Sequence, residues 1–376
     1  MDERISWIDV ARGIAILLVV GGHSIHISSA VSGHEVYALA NRAIYSFHMP
    51  FFFLLSGYLF GRRNQMARPL SALLVTNVKR LVLPYWGTCF AVLACLYALD
   101  LIVGDFMDLD CNGAWLIIVN FMYGSGKSVR QFAEFTGAHC PWFLLCLCAA
   151  NIVFWLIIKR IGKWNAVVQL GIILGVSYAG SYIGKYIFLP WSLDVALAAQ
   201  IFVFAGYRIN ALQQSAAYPL KVHLGILGGC LCIWIIDIGM GGIGLNDRVY
   251  NYFIVSAAGG IAGSILLLYV SFILVNHSLI AGVKAPAMVL LPLRLINLVL
   301  SYLGREALMI YCWHVMDITY FRAIYSRWVF FGFFLDNVVV IALFRLFFSM
   351  AIIRLIRFIP GVRRLFYWKE YAVAAG

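Results

Sequence analysis

The sequence predicts an all-α membrane protein with about ten transmembrane helices. Of the 376 residues, 63% are hydrophobic and only 12% are charged, whereas a soluble domain has about 45–50% apolar and about 25% charged residues. Apolar stretches of about 20 residues, the length that a bilayer requires, recur along the whole chain. A soluble, disordered or disulfide-rich protein is therefore excluded, and residues 1–376 are expected to form a single membrane domain.

Ten segments have the length and apolarity of a membrane span. The first begins almost at the N-terminus and has no small-residue cleavage site behind it, so it is expected to be a retained span and not a signal peptide. The longest predicted outer loop, 105–138, has an apolar core at 114–123 that is too short to cross and is expected to form an interfacial or re-entrant helix. The predicted spans are residues 7–30, 38–60, 81–104, 139–158, 164–184, 190–207, 222–240, 249–276, 301–321 and 329–353.

The lysines and arginines predict how the chain is oriented. With both termini in the cytoplasm, 18 basic residues fall in cytoplasmic segments, six in outer segments and four within spans. Basic residues are retained on the cytoplasmic side, so this orientation is favoured. The net charge of +12 is therefore interpreted as the charge of cytoplasmic loops on a lipid bilayer, and no nucleic-acid partner is expected.

The first span carries ionisable residues where lipid disfavours them. It reads WIDVARGIAILLVVGGHSIH and contains Asp9, Arg12, His23 and His26. Eleven residues at about 100° each bring Arg12 and His23 to within about 20° of one face, about 16 Å apart along the axis. This pattern predicts a polar stripe lining a channel for a long, thin ligand. The alternative is that Arg12 reaches the lipid head groups and His23 hydrogen-bonds within the bundle.

The next two spans contain a proline and a basic cluster. In SFHMPFFFLLSGYLF, Pro50 is expected to break the helix and free backbone groups for a ligand. The alternative, which physics alone favours, is a kink packed by phenylalanines. In NVKRLVLPYW, Lys79 and Arg80 join Arg62 and Arg63 in a surface that would attract a phosphate-bearing ligand such as coenzyme A, although an ordinary positive-inside loop looks the same.

Three later segments also place polar groups at membrane depth. They read HCPWFLLCL at 139–147, LPWSLDVAL at 189–197 and YLGREALMIYCWHVMD at 302–317. In the last, Glu306, His314 and Asp317 could all face a cavity. The alternative is a network that satisfies itself, and this is the favoured interpretation for Asp237 and Arg345.

Together these blocks resemble the acyltransferase 3 family of bacterial membrane proteins. An Arg followed eleven positions later by His in the first span is that family's signature, present here as Arg12 and His23. The resemblance implies about ten transmembrane helices in the bacterial inner membrane and transfer of an acyl group, usually acetyl, from cytoplasmic acyl-CoA to a glycan hydroxyl. The FHMP and LPWSLD motifs are most similar to fucose 4-O-acetylase-like members, which implies a sugar or lipid-linked sugar as acceptor.

The resemblance implies His23 as the catalytic residue, Arg12 as a group needed for acyl-donor binding or catalysis, and Arg80 in the basic motif that meets coenzyme A. Neutral imidazole suits a base for a sugar hydroxyl, because its ordinary pKa is about 6.5. Spacing cannot choose its partner among Glu35, His48, Glu306 and His314, nor decide between direct transfer and an acyl-histidine intermediate. A secondary transporter and a non-catalytic scaffold for polysaccharide export are the rival functions.

The predicted site comprises catalytic His23, Arg12 and Asp9; acyl-CoA-binding Arg12, Lys79, Arg80, Tyr85, Arg62 and Arg63; acceptor-binding Glu35, His48, Trp142, Asp194, Glu306 and His314; and no metal.

Overall fold

The computed structural model describes residues 6–25, 34–103, 111–126, 141–215, 220–276, 287–314 and 337–367. Within these ranges, eight helices are long and apolar enough to cross a membrane, and two sharply bent helix pairs raise the number to ten. The prediction of an all-α, multi-pass membrane fold with about ten spans is therefore confirmed.

Short irregular turns join several of the helices. A 3₁₀ turn at Gln65–Ala67 precedes α3, a π turn at Val78–Val82 joins α3 to α4, and a 3₁₀ turn at Pro190–Ser192 opens α8. Two short antiparallel strands, β1 (Ile243–Gly244) and β2 (Val249–Tyr250), form a hairpin after α10. The helices are α1 (Ser6–Ile25), α2 (Glu35–Arg62), α3 (Leu70–Asn77), α4 (Leu83–Val103), α5 (Cys111–Tyr123), α6 (Trp142–Ile161), α7 (Ala166–Tyr186), α8 (Leu193–Ala198), α9 (Gln200–Ser215), α10 (Leu220–Gly239), α11 (Phe253–Val275), α12 (Ala287–Arg305), α13 (Ala307–Trp313), α14 (Val338–Phe358) and α15 (Pro360–Phe366).

Helix α1 lies inside the bundle and not at its lipid-facing edge. Two thirds of its apolar window is buried within the protein, and it packs along α12, α2 and α11. A side chain at Gly13 would overlap the backbone of Leu300, and one at Gly304 would overlap the backbone of Asp9. These glycines let α1 and α12 approach closely, which is how membrane helices pack without a hydrophobic driving force.

Pro50 does not break its helix, which agrees with the favoured interpretation and not with the broken helix. Helix α2 continues from Glu35 to Arg62 with Pro50 inside it, and the proline ring packs against Gly260 of α11. Phe51 and Phe53, which follow the proline in the chain, are fully buried. Packing against a neighbouring helix compensates for the lost backbone hydrogen bond, so the kink alternative describes this region better.

Three span boundaries differ from prediction. The third helical region begins at Leu70 and not at residue 81, and residues before Phe253 form the hairpin instead of the start of a span. The span predicted at 301–321 is instead the helix pair α12 and α13, bent by 63° at Glu306. Helix α12 was missed because Arg294 interrupts its apolar run, while residues 315–336 lie outside the described ranges.

Candidate functional site

Three histidines and a tyrosine from α1, α2 and α13 meet in the middle of the bundle, and we call these four residues the histidine cluster. The ring of His23 lies 5.2 Å from that of His314 and 6.1 Å from that of Tyr45, measured between centroids. The ring of Tyr45 lies 4.7 Å from that of His48. The polar face of α1 thus points at other ionisable side chains and not at lipid.

His314 presents a basic nitrogen to this cluster. The residue is fully buried, and its Nδ1 atom lies 2.8 Å from the carbonyl oxygen of Tyr311 and 3.2 Å from that of Ile310. Carbonyl oxygens only accept hydrogen bonds, so Nδ1 carries the proton and the lone pair of the neutral ring is on Nε2. Among the described residues, Nε2 has no hydrogen-bond partner. His48 is oriented in the same way, with Nδ1 2.9 Å from the carbonyl oxygen of Ile44.

A buried arginine adds positive charge beside the cluster. Arg345 of α14 is 1% exposed. It is close enough to His314 and Tyr45 to interact electrostatically with both. Asp247, in the hairpin between β1 and β2, also acts on Tyr45. A charge at this depth is costly in a membrane protein, and such residues commonly mark functional sites.

A cavity of about 680 Å³ leads from one end of the bundle toward this cluster. Along α2 it extends from Arg63 to Met49, a length of about 21 Å at 1.5 Å per residue. Its inner end is formed by Val19, Met49 and Tyr311, together with Phe52 and Phe143. The histidines lie just beyond this wall, because Val19 is one turn before His23, Met49 follows His48, and the Tyr311 and His314 rings are 5.7 Å apart.

The wall of this cavity is strongly basic, and we call the end of the bundle on which it opens the basic end. The described lining residues include five arginines, Arg12, Arg63, Arg80, Arg305 and Arg357, but a single carboxylate, Glu306. Arg12 also forms a 3.7 Å ion pair with Asp9 on the same helix face. Like charges in one partly dry space repel one another, so this wall favours an anionic ligand.

The structure brings some of the predicted donor-binding residues together and leaves others outside. Arg12, Arg63 and Arg80 line the cavity, and the charges of Arg12 and Arg63 act on Arg80. Lys79 and Arg62 are not part of the described lining. Tyr85 is fully buried in another environment, where its hydroxyl donates to the carbonyl oxygen of Phe121 at 2.5 Å.

The predicted acceptor-binding residues separate into several groups. His48 and His314 belong to the histidine cluster, and Trp142 is buried at the start of α6 beside Phe143. Glu35 is exposed in the first turn of α2.

Two predicted carboxylates lie in other surroundings. Asp194 forms a buried ion pair with Arg248 at 3.0 Å, which fastens the hairpin to α8. Glu306 lies on the basic cavity, where it pairs with Arg357. The further candidates His26 and Asp317 lie outside the described residues.

Sequence reasoning missed several residues of this arrangement. Tyr45 lies one turn before His48 and could have been found by helical spacing. Arg305 and Arg357 were counted only as orientation charges or as charges within a span, because nothing in a single sequence shows that distant segments share a cavity. Among the described residues, no group of three or more histidines, cysteines or acidic residues could hold a metal ion.

The chain matches the family model Acyl_transf_3, described as an acyltransferase domain, over residues 5–354. The chain belongs to the acyltransferase 3 family. The predicted resemblance is thus confirmed at the level of the family, and the protein is a multi-pass membrane acyltransferase. No curated protein and no solved structure matches the chain. The matched range of this acyltransferase contains the histidine cluster and most of the basic cavity, while Arg357 and α15 lie beyond it.

Proposed function

We propose that this acyltransferase moves an acyl group, by default acetyl, from cytoplasmic acyl-CoA to a hydroxyl of a cell-surface glycan or lipid-linked sugar. The observation that carries the proposal is the arginine-lined cavity that leads from the basic end of the bundle toward the histidine cluster and ends at the wall just before it. Basic residues favour the cytoplasmic side, so the basic end faces the cytoplasm of a bacterial cell. Both chain termini then lie on that side of the inner membrane.

The cavity is suited to the acyl donor in charge and in shape. Arginine side chains bind phosphate groups through paired, charge-assisted hydrogen bonds, and the cavity offers several of them near its mouth. Farther in, its walls become apolar at Val19, Phe52 and Phe143, which suits the uncharged arm that carries the thioester. Arg12, held by Asp9, lies between these regions and would bind a phosphate or carbonyl of the donor.

The chemistry requires a base beside the inner end of the cavity. Neutral His23 takes the proton from the acceptor hydroxyl while that oxygen forms a bond to the thioester carbonyl carbon. The tetrahedral intermediate then collapses, the carbon–sulfur bond breaks, and the departing thiolate takes the proton back from the imidazolium. The products are the ester and the free thiol of coenzyme A, so the reaction is balanced without an outside proton donor.

The other members of the cluster support these steps. His314 has its acceptor nitrogen available to orient the acceptor hydroxyl or the His23 ring. Tyr45 and Arg345 supply a hydroxyl and a cation that can stabilise the negative oxygen of the intermediate, the contribution that is usually largest in acyl transfer. The acceptor would approach from the opposite end of the bundle, on the side of the hairpin, whose Asp247 interacts electrostatically with Tyr45.

The proposal is tested by the mass of surface glycans from cells with and without the gene. We expect the parent cells alone to carry an added acyl unit, and the size of the mass shift identifies the acyl group. In a second experiment, labelled acetyl-CoA is added to the cytoplasmic face of membrane vesicles from both strains, and transfer of the label to glycan is measured. Uptake of sugar that needs no acyl donor, with no change in glycan mass, would support a transporter and contradict the proposal.

A further inference from the structure

Glu306 is the one carboxylate among the described residues that line the arginine-rich cavity. It is 4% exposed and lies at the sharp bend between α12 and α13. The donor-binding surface thus contains a buried negative charge among five arginines. A carboxylate in this position opposes the binding of an anion, so its presence requires an explanation.

The contacts of Glu306 tie it to the C-terminal part of the described chain. Its carboxylate accepts hydrogen bonds from Arg357 at the end of α14 and from the Tyr367 hydroxyl, the latter at 2.6 Å. The Arg357 guanidinium also lies over the Tyr367 ring, 4.9 Å from its centroid. We call Glu306, Arg357 and Tyr367 the C-terminal triad.

The triad is held firmly by the packing around it. Phe366 is buried against Gly87 of α4 and lies 5.7 Å from the ring of Trp313. Burial, and next the hydrogen bond to Glu306, raise the pKa of Tyr367, so its hydroxyl stays protonated and donates at neutral pH. The carboxylate therefore keeps both of its donors in the resting protein.

Arg357 is placed where a ligand can also reach it. Its side chain is 37% exposed and is part of the cavity lining. A phosphate group entering the cavity therefore meets an arginine that Glu306 already neutralises.

From this geometry we propose that Glu306 is an internal competitor for the phosphate groups of the donor, and that Arg357 is a donor-binding residue which Glu306 partly occupies. The inference rests on the proposed function, because it takes the cavity ligand to be acyl-CoA. Its consequence is that the resting site binds the donor and the coenzyme A product more weakly than the same five arginines would without a carboxylate among them. Weak binding of the product aids its release, and binding the donor as tightly in the ground state as in the transition state would not raise kcat.

The test is coenzyme A binding to the purified full-length protein in nanodiscs, measured by calorimetry. Glu306→Gln keeps the size of the side chain but removes its charge, and we expect coenzyme A to bind about five- to tenfold more tightly. Glu306→Ser removes the same charge with a smaller side chain and should shift the affinity in the same direction. Arg357→Ala should weaken binding by a similar factor. Tyr367→Phe removes one hydrogen bond but no charge and should leave the affinity within about twofold.

A purely structural triad predicts a different pattern. In that case Glu306→Gln, Glu306→Ser and Tyr367→Phe would all lower the unfolding temperature, and none would bind coenzyme A more tightly than the parent. That result, in protein that elutes as one species, would overturn the inference. If instead the parent bound no coenzyme A and transferred no acyl group, the proposed function itself would be wrong, so the two failures are distinguishable.

Discussion

Replacing Gly22 with alanine probes whether the geometry around His23 governs the reaction. A Cβ atom at Gly22 would lie 2.9 Å from Cε2 of Tyr45 and 3.3 Å from Cγ2 of Ile44. Ordinary van der Waals contact with a Cβ begins near 3.4 Å, so the Tyr45 ring has to move by about half an ångström. That ring also packs against His48, at 4.7 Å between centroids, so it cannot yield freely.

The size of the effect follows from this displacement. A site that is misplaced by about 1 Å can lose about 100-fold in rate, so half that displacement is expected to lower kcat about tenfold. Folding should survive, because the overpacking cost of about 1–3 kcal/mol is partly offset by the gain of about 0.5–1 kcal/mol from replacing a helical glycine. The fall in kcat should therefore appear without a comparable loss of folded protein.

The assay is acyl transfer by purified protein, with kcat and the KM for acetyl-CoA measured separately. Gly21→Ala is the matched control, because a Cβ on that neighbouring glycine meets no atom within 4 Å. We expect Gly21→Ala to keep the parent kcat and Gly22→Ala to lose about tenfold with little change in KM. Equal activity of the two variants would refute the claim that Tyr45 and His23 must keep their present separation.

Three further predictions concern the donor, the cluster and the hairpin. Arg12→Ala should raise the KM for acyl-CoA about 10- to 150-fold, which corresponds to the loss of a charge-assisted hydrogen bond. Arg294 is exposed on α12, so Arg294→Ala should leave the KM unchanged. Equal KM values for the two variants would remove Arg12 from the donor site. His314→Gln should lower kcat about 100-fold while leaving the KM for acyl-CoA unchanged, and a change confined to KM would contradict a role in the chemical step. Asp194→Asn should lower the unfolding free energy by about 3–5 kcal/mol, because it leaves Arg248 buried without its partner; a melting temperature equal to the parent's would exclude that structural role.

The sequence predicts local relations along one helix well, because helical geometry fixes them. The shared face of Arg12 and His23, and the pairing of Asp9 with Arg12, follow from spacing alone, and the structure reproduces the pair at 3.7 Å. The spans are likewise visible as apolar runs. Two boundary errors are large: the third helical region begins at Leu70 instead of residue 81, and α12 was missed because Arg294 interrupts its apolar run.

Contacts between distant segments could not be predicted in this way. His314 lies nearly 300 residues after His23, so spacing could not select it from the four candidate partners, although the structure places the two rings 5.2 Å apart. Glu306 was grouped with the acceptor residues because it shares a segment with His314, yet the bend at this residue directs it to the basic cavity. Pro50 shows the same limit, because its effect on α2 depends on the packing of Gly260 from another helix.

The most direct test of the account is acyl transfer by purified His23→Ala protein, with labelled acetyl-CoA and unacylated glycan prepared from cells that lack the gene. His223→Gln is the matched control, because that histidine pairs with Tyr269 outside the histidine cluster. We expect the control to transfer label at the parent rate and His23→Ala to be slower by at least about 100-fold, the contribution of a general base. Transfer at the parent rate by folded His23→Ala protein would contradict the central claim that His23 is the base at the inner end of the donor cavity.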